Sequence, residues 1–340
     1  TDNGGTLQQA LDFAASGNQN ATRLVVAYPL TPTTDNPRGD YLENVVIHSG
    51  VKLQGIGTGG FRADGSHVAG SVINGERFQE GTPQGNAWLA LVSGLNYKNK
   101  DIALPDSATV TVVTPGSGNG LGSSTIKPSI DGFLITGGIQ QTTPTNINIL
   151  TGGSQTPYGG TGAVVTQGGG IYVHGGSDGL TVTNNRIEGN SGSYAGAIRV
   201  GTPYANGNIG VTADSLGLTD TGATPSTNYR LVNRGLVVAH NTIANNGGAN
   251  LGGGIGLFSG TVGYRVAYND VCGNFSAEYG GGISHYGFSR GARIDHNRVW
   301  FNESYDEGGG IMVAGEVPPN PDSVSGGSGD VRVDDNRIAQ

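Results

Sequence analysis

The chain contains a single cysteine, Cys272, among its 340 residues, so no disulfide can form within it. Charged residues make up only 13% of the sequence, and the formal net charge is −8. A nucleic-acid-binding surface needs clustered lysine and arginine, so this composition argues against a nucleic-acid partner. No apolar run reaches the roughly 18 residues of a membrane-spanning helix, and we therefore expect no membrane span.

Glycine is abundant, with 63 residues, and it follows no Gly-X-Y period, which excludes a collagen-like chain. The glycine content also disfavours a mainly helical fold, because each glycine inside a helix costs about 1 kcal/mol relative to alanine. The composition therefore favours a fold made of short strands and tight bends.

A glycine-rich motif ending in isoleucine recurs along the second half of the chain. It reads GGGI at four places and AGAI at one, and the isoleucines are Ile171, Ile198, Ile255, Ile283 and Ile311. The steps between them are 27, 57, 28 and 28 residues, and the long step becomes regular when one insertion is allowed. A second motif, Asn-X-(Ile/Val), starts at Asn185, Asn241, Asn269, Asn297 and Asn336. A further asparagine follows at Asn190, Asn246, Asn274 and Asn302.

A fixed period of about 28 residues is typical of stacked supersecondary units. Within each unit apolar residues alternate, which indicates strands. The pattern predicts an all-β parallel β-helix in which residues one period apart lie side by side, about 4.8 Å from each other. Glycines then occupy the bends, and the repeated asparagines stack their amides along the axis and tolerate left-handed φ.

The first part of the chain is less regular. Residues 6–16 predict a short amphipathic helix that caps the apolar end of the solenoid. We expect one domain: a cap with irregular first coils at 1–138, a loop at 139–167 and regular coils at 168–340. The regular part carries insertions at 202–230 and 317–329. The chain starts at Thr1 and stops at Gln340 inside a repeat, so we expect a piece of a larger protein, truncated on its C-terminal side.

Segments 39–47, 51–57 and 129–138 resemble the first coils of right-handed parallel β-helices of the pectin-lyase-like superfamily. The GGGI motif with an asparagine before it is similar to the repeats of bacterial surface β-helix proteins. The chain also resembles β-helix segments of very large secreted bacterial proteins, some of which carry multicopper-oxidase domains. The resemblance implies an extracellular or cell-surface location, and it leaves the function open because the superfamily includes both enzymes and adhesins.

The sequence lacks the complete catalytic motifs of polygalacturonases, uronan epimerases and pectate lyases. The 28-residue register nevertheless places Glu278 beside Asp306, with Glu307 next to it. These three carboxylates are the candidate catalytic residues, since paired acids with separated pKa values cleave polysaccharides. They could also bind Ca²⁺ through oxygen ligands, or form a solvated acidic corner; no other cofactor is expected.

Aromatic residues supply a second candidate site. Phe258 and Tyr286 are equivalent and are predicted to point outward, where a sugar ring could pack on them or a loop could cover them. His285 is predicted to point into the core. The register also predicts an aromatic ladder of His240, Tyr268 and His296. A surface pair between Asp270 and Arg298 is predicted in the same way.

Two classes of function remain open at this point. The first is a non-catalytic extracellular module, either a spacer or a surface that binds a polysaccharide, another protein or another domain of the same polypeptide. The second is a polysaccharide lyase, glycoside hydrolase or uronan epimerase that acts in a lateral groove walled by segments 139–167, 202–230 and 317–329. An accessory segment of a multicopper-oxidase-containing protein is a further alternative.

Overall fold

The computed structural model is almost entirely β within the residues it describes. These are residues 5–16, 23–77, 83–94, 102–103, 108–113, 116–117, 120–121, 126–138, 164–165, 169–192, 194–201, 204–205, 208–209, 233–249, 251–258, 261–315 and 327–340. Two helices accompany the strands, α1 at Leu7–Ala15 and α2 at Pro83–Gly94. Neither of them is long and apolar enough to cross a membrane.

Most strands belong to three long parallel sheets, and the chain passes through sheet 3, sheet 1 and sheet 2 in turn. We call one such passage a coil. Sheet 1 contains Arg23–Ala27, Val51–Gly55, Ser129–Asp131, Thr181–Thr183, Val237–Ala239, Arg265–Ala267, Ser289–Asp295 and Gly329–Asp334. Sheet 2 contains Ser71–Asn74, Phe133–Thr136, Arg186–Glu188, Thr242–Ala244, Asp270–Cys272, Arg298–Trp300 and Arg337–Ala339. Sheet 3 contains Val45–Ile47, Val110–Val113, Ile171–Gly175, Ile198–Val200, Ile255–Phe258, Ile283–Tyr286 and Ile311–Ala314.

Shorter strands complete the coils. A fourth parallel sheet, sheet 4, contains Ser191–Gly192, Gly247–Gly248, Phe275–Ser276 and Glu303–Ser304. Two further parallel pairs join Asn233–Arg234 to Thr261–Val262 and Ile102–Ala103 to Val164–Val165. Three antiparallel pairs join Gly60–Phe61 to His67–Val68, Gly116–Ser117 to Gly120–Leu121 and Tyr204–Ala205 to Asn208–Ile209. Parallel strands stacked in this way are consistent with a β-helix-like solenoid.

The glycine-motif isoleucines lie in one row across sheet 3. Ile171 pairs with Ile198, Ile198 with Ile255, Ile255 with Ile283, and Ile283 with Ile311. The predicted register is therefore confirmed, including the alignment across the long step. The three groove-wall segments lie almost entirely outside the described residues.

The inward-facing residues of the three sheets form one apolar core, to which α1 adds Leu7 and Leu11. Thr6 caps α1 in a capping box with Gln9. The carboxylate of Glu43 accepts hydrogen bonds from the backbone N–H groups of Leu7 and Gln8, at 2.8 and 3.0 Å. The helix predicted at residues 6–16 is confirmed, and it packs on the core with its apolar face.

Two ladders of asparagines run along the stack, and all of their members are buried except the half-buried Asn336. One joins Asn185, Asn241, Asn269, Asn297 and Asn336, and the other joins Asn190, Asn246, Asn274 and Asn302. In each ladder the side-chain amide donates to the side-chain oxygen of the asparagine on the following coil. The same oxygen also accepts a backbone N–H from the preceding coil, as Asn269 does from Asn241 at 3.0 Å.

The left-handed backbone conformation is predicted for the ladder asparagines, but it belongs to the residue before each of them. The prediction is therefore wrong by one residue. At the first corner these residues are Asn184, His240, Tyr268, His296 and Asp335, and at the second they are Gly189, Asn245, Gly273 and Phe301. The left-handed residue turns the chain and leaves the next residue free to direct its amide along the axis.

Candidate functional site

The acidic residues of the predicted site lie on consecutive coils, just before the glycine turn. The backbone oxygen of Glu278 accepts the N–H groups of Asp306 and Glu307, at 3.2 and 3.0 Å. Tyr279 forms a parallel bridge with Glu307. The register thus brings Glu278 and Asp306 together as expected, and we call Glu278, Asp306 and Glu307 the acidic flank.

The members of the acidic flank differ in exposure. Glu278 is only 5% exposed, whereas Asp306 and Glu307 are exposed. Burial, and to a smaller extent the nearby charge of Asp306, raise the pKa of Glu278 to about 7. Among the described residues, no group of three or more His, Cys, Asp or Glu side chains is placed to hold a metal ion. The acidic flank therefore contains a carboxyl with a pKa close to neutral pH.

This raised pKa predicts a pH-dependent stability. A carboxyl with a higher pKa in the folded than in the unfolded state binds its proton more tightly when folded, so folding is disfavoured as the pH rises through about 7. Glu278→Gln removes this penalty. Between pH 5 and pH 8 we expect the wild type to lose up to about 3 kcal/mol of unfolding free energy that the Glu278→Gln variant does not lose. Urea denaturation at the two pH values measures the difference.

Glu303→Gln is the matched control, because Glu303 is exposed in the neighbouring strand of sheet 4. In the Glu303→Gln variant, the unfolding free energy should differ between pH 5 and pH 8 by the same amount as in the wild type. Equal pH dependence of the wild type and Glu278→Gln would contradict the assignment of a protonated Glu278.

The predicted sugar-stacking pair is only partly exposed. Phe258 and Tyr286 are paired in register as expected, but Phe258 is completely buried and Tyr286 is half-buried. Phe258 packs against Leu251 and meets the ring of Tyr194 edge-on, with 6.0 Å between centroids. Phe258 lies on the outer face of sheet 3 as predicted, and of the two alternatives it is the covered one, because the segment before the glycine turn packs over that face.

That outer face contains a buried polar cluster that the sequence analysis did not identify. The guanidinium of Arg199 lies 4.6 Å from the ring centroid of Tyr172 and 4.8 Å from that of Tyr194, in cation–π contact with both. The hydroxyl of Tyr172 is 2.6 Å from Nδ1 of His174. Burial lowers the pKa of His174 to about 3, so the imidazole is neutral. These groups are enclosed and stabilise the covering segment.

The remaining histidine predictions are confirmed. His285 is fully buried, hydrogen-bonded to the hydroxyl of Tyr264 at 2.9 Å and to the backbone oxygen of Gly287 at 2.8 Å. Burial lowers the pKa of His285 to about 4, so it stays neutral as a core residue. His240, Tyr268 and His296 stack on successive coils, with centroid distances of 5.3 and 4.9 Å.

An ion network on the outer face of sheet 1 joins adjacent coils. Asp295 is fully buried, and it accepts two hydrogen bonds from Arg265, at 3.0 and 2.8 Å. His296 approaches the same carboxylate at 2.8 Å, and Arg293 extends the network to Asp334 on the following coil. Hydrogen bonds from Arg265, then from His296, lower the pKa of Asp295 despite its burial. Both carboxylate oxygens of Asp295 have hydrogen-bond partners within the network, so we assign the network a structural role.

Exposed aromatic residues lie at a different place, the corner between sheets 2 and 4. Phe275, Phe301 and Tyr305 are 43%, 63% and 83% exposed, and Trp300 is half-buried. Trp300 ends a strand of sheet 2, Phe301 forms the corner, and Tyr305 follows the sheet 4 strand Glu303–Ser304. Phe275 lies on the preceding coil, paired with Glu303. We call these four aromatic residues the aromatic patch.

Polar groups border the aromatic patch. The rings of Trp300 and Phe301 are nearly parallel, inclined by 19° with 6.1 Å between centroids. Arg298 covers Trp300 at 4.3 Å from its ring centroid and approaches Asp270 at 3.7 Å, which confirms the predicted pair. The indole N–H of Trp300 and one carboxylate oxygen of Asp270 are shielded from solvent and have no hydrogen-bond partner among the described residues. The patch therefore combines an aromatic platform with an exposed guanidinium and a carboxylate at its border.

Phe301 has a left-handed backbone, with φ of 51°. The equivalent residues on the preceding coils are Gly189, Asn245 and Gly273, which adopt this conformation more readily. A bulky side chain in this region stores strain of about 1 kcal/mol or more. The replacement of glycine by phenylalanine within the repeat is the sequence signal by which the patch could have been found.

No protein-family model matches the chain, and neither curated proteins nor solved structures gave a match.

Proposed function

We propose that this chain is a right-handed parallel β-helix of the pectin-lyase-like type that binds a polysaccharide through the aromatic patch without cleaving it. The proposal is carried by Phe301, an exposed phenylalanine in a strained backbone conformation, beside Trp300. Apolar faces of sugar rings pack on aromatic rings. Their hydroxyls would find the exposed guanidinium of Arg298 and the outer carboxylate oxygen of Asp270 as partners. A solenoid held by two asparagine ladders keeps these groups in fixed positions.

In this proposal the chain is a module of a larger bacterial protein that acts outside the cell or on its surface, where polysaccharides are found. The rigid stack serves both as a spacer and as the support of the binding surface. The net charge of −8 disfavours polyanionic chains, so a neutral polysaccharide is the preferred partner.

The proposal is tested by measuring adsorption to insoluble neutral polysaccharides and titrating soluble oligosaccharides by calorimetry. We expect Trp300→Ala to weaken binding about 10- to 30-fold, because truncating a central aromatic anchor costs about 2 kcal/mol. Phe13→Ala is the matched control, since Phe13 is 77% exposed on α1, outside the aromatic patch. Absence of binding to every polysaccharide, or equal binding by Trp300→Ala and the wild type, would refute the proposal.

A catalytic function is the second candidate, and the pKa of about 7 at Glu278 favours it, because a general acid must hold its proton at neutral pH. The burial of Glu278 weighs against it, since a polymer must reach the carboxyl. Incubation with the same polysaccharides, with and without Ca²⁺, should release neither unsaturated products nor reducing ends. Release that is abolished by Glu278→Gln or Asp306→Asn would establish the enzyme instead.

A further inference from the structure

A cavity of about 360 Å³ lies at the N-terminal end of the solenoid, between α1 and α2. Its apolar walls are Leu42, Ala87, Trp88 and Leu91. This volume lies within the range of small-molecule sites, and apolar cavities of about 150 Å³ already take up benzene. The cavity is independent of the acidic flank and of the aromatic patch.

Several polar groups that line the cavity are already engaged in fixing α1. Glu43 accepts the backbone N–H groups of Leu7 and Gln8, and the partial positive charge of the helix N-terminus offsets its negative charge. The amide of Gln8 bonds to both backbone groups of Val46 and to Asp12. Asp12 is also 3.1 Å from the imidazole of His48. These contacts build the wall and leave few of its atoms for a ligand.

Arg77 is the exception among the charged lining residues. It is exposed at the rim, and its guanidinium donates a hydrogen bond to the backbone oxygen of Asp35 at 3.3 Å. None of the carboxylates in the described part of the chain lies within ion-pair distance of it. The planar guanidinium of an arginine binds a carboxylate in bidentate fashion. The cavity thus presents an indole and aliphatic walls with one cationic group at its mouth.

We propose that this cavity binds a small aromatic carboxylate, with the ring against Trp88 and the carboxylate on Arg77. The ligand's apolar part packs beside Leu42 and Leu91. Its anionic group supplies the carboxylate partner that Arg77 lacks among the described residues.

Tryptophan fluorescence tests this proposal directly, because the chain contains only two tryptophans. In a Trp300→Phe background Trp88 is the single indole, and the aromatic patch contributes no tryptophan signal. Phenylacetate should change its emission in a saturable manner. The neutral phenylacetamide should bind at least 10-fold more weakly, and Arg77→Gln should weaken phenylacetate binding by the same factor, since a hydrogen bond to a charged group contributes about 1.5–3 kcal/mol.

A cavity-filling pair of variants locates the binding site. Ala87→Leu places a larger side chain at the lining and should weaken phenylacetate binding. Ala90→Leu is its control on the same helix, exposed and outside the lining, and should leave binding unchanged. A folded protein with no saturable response would overturn the proposal. So would equal affinity for the acid and the amide, or equal affinity of Ala87→Leu and Ala90→Leu.

Discussion

Asn269→Ala is expected to lower the free energy of unfolding by about 4 kcal/mol, one of the two largest effects that this fold predicts. The Asn269 side chain is buried at 2% exposure and takes part in five hydrogen bonds. Its oxygen accepts the backbone and side-chain N–H groups of Asn241. Its amide donates to the backbone oxygens of Val238 and Ala267 and to the side chain of Asn297.

The size of the effect follows from what the substitution leaves behind. The backbone N–H of Asn241 loses its acceptor in the interior, and two backbone oxygens lose a donor. Each buried polar group left without a partner costs about 1–3 kcal/mol, whereas a hydrogen bond that is simply exchanged with water costs about 1 kcal/mol. Chemical denaturation followed by circular dichroism measures the loss.

Asn245→Gly is the matched control for the ladder. Asn245 is an exposed asparagine on the coil before Asn269, in left-handed conformation at a corner where Gly189 and Gly273 occupy equivalent positions. Glycine adopts that conformation without strain, so the change should cost less than about 1 kcal/mol. Similar losses for Asn269→Ala and Asn245→Gly would show that the ladder bonds do not set the stability.

The strand register is the part of the structure that the sequence predicts best. Ile255, Ile283 and Ile311 recur at equal spacing because each coil must close with nearly the same number of residues. Insertions in one link do not disturb the remaining contacts, so Ile198 still pairs with Ile255 across the long step. The N-terminal strand Arg23–Ala27 and helix α2 were not predicted, because neither belongs to a repeating motif.

The exposure of side chains is predicted less well. Alternation tells which face of a strand a residue occupies, but it does not tell what covers that face. Phe258 is therefore on the outer face as expected. It is buried because Tyr194 and Leu251, which lie outside its own strand, pack over it. The same limit applies to Glu278, whose burial depends on the following coil.

The aromatic patch is not predicted from the repeats, because its residues differ from those at the equivalent positions of the preceding coil. Trp300 and Phe301 occupy positions that the preceding coil fills with Cys272 and Gly273, so no periodic pattern marks them. A search for similarity between coils finds the residues that build the solenoid. Residues that serve a binding surface are expected where one coil departs from the others, as Phe301 does.

Gly253→Ala is the second substitution with a large expected effect, because the middle glycine of the motif lies close against the backbone of the following coil. A Cβ atom on Gly253 would lie 2.4 Å from the backbone oxygens of both Gly281 and Phe275. These oxygens belong to backbone of the following coil and cannot move as a flexible side chain would. We expect a loss of about 3 kcal/mol or more in unfolding free energy, or failure to accumulate as soluble protein.

Gly247→Ala separates this steric effect from the general cost of replacing a glycine. Gly247 lies in the same coil, its φ is not in the left-handed region, and an added Cβ would meet no atom within 4 Å. Ser191 and Phe275 occupy the equivalent positions on the adjacent coils, so a side chain is already accommodated there. Denaturant midpoints of the two variants measure the contrast. If Gly253→Ala were as stable as Gly247→Ala, the middle glycine would not be required by close packing of the coils, and the recurrence of the GGGI motif would need another explanation.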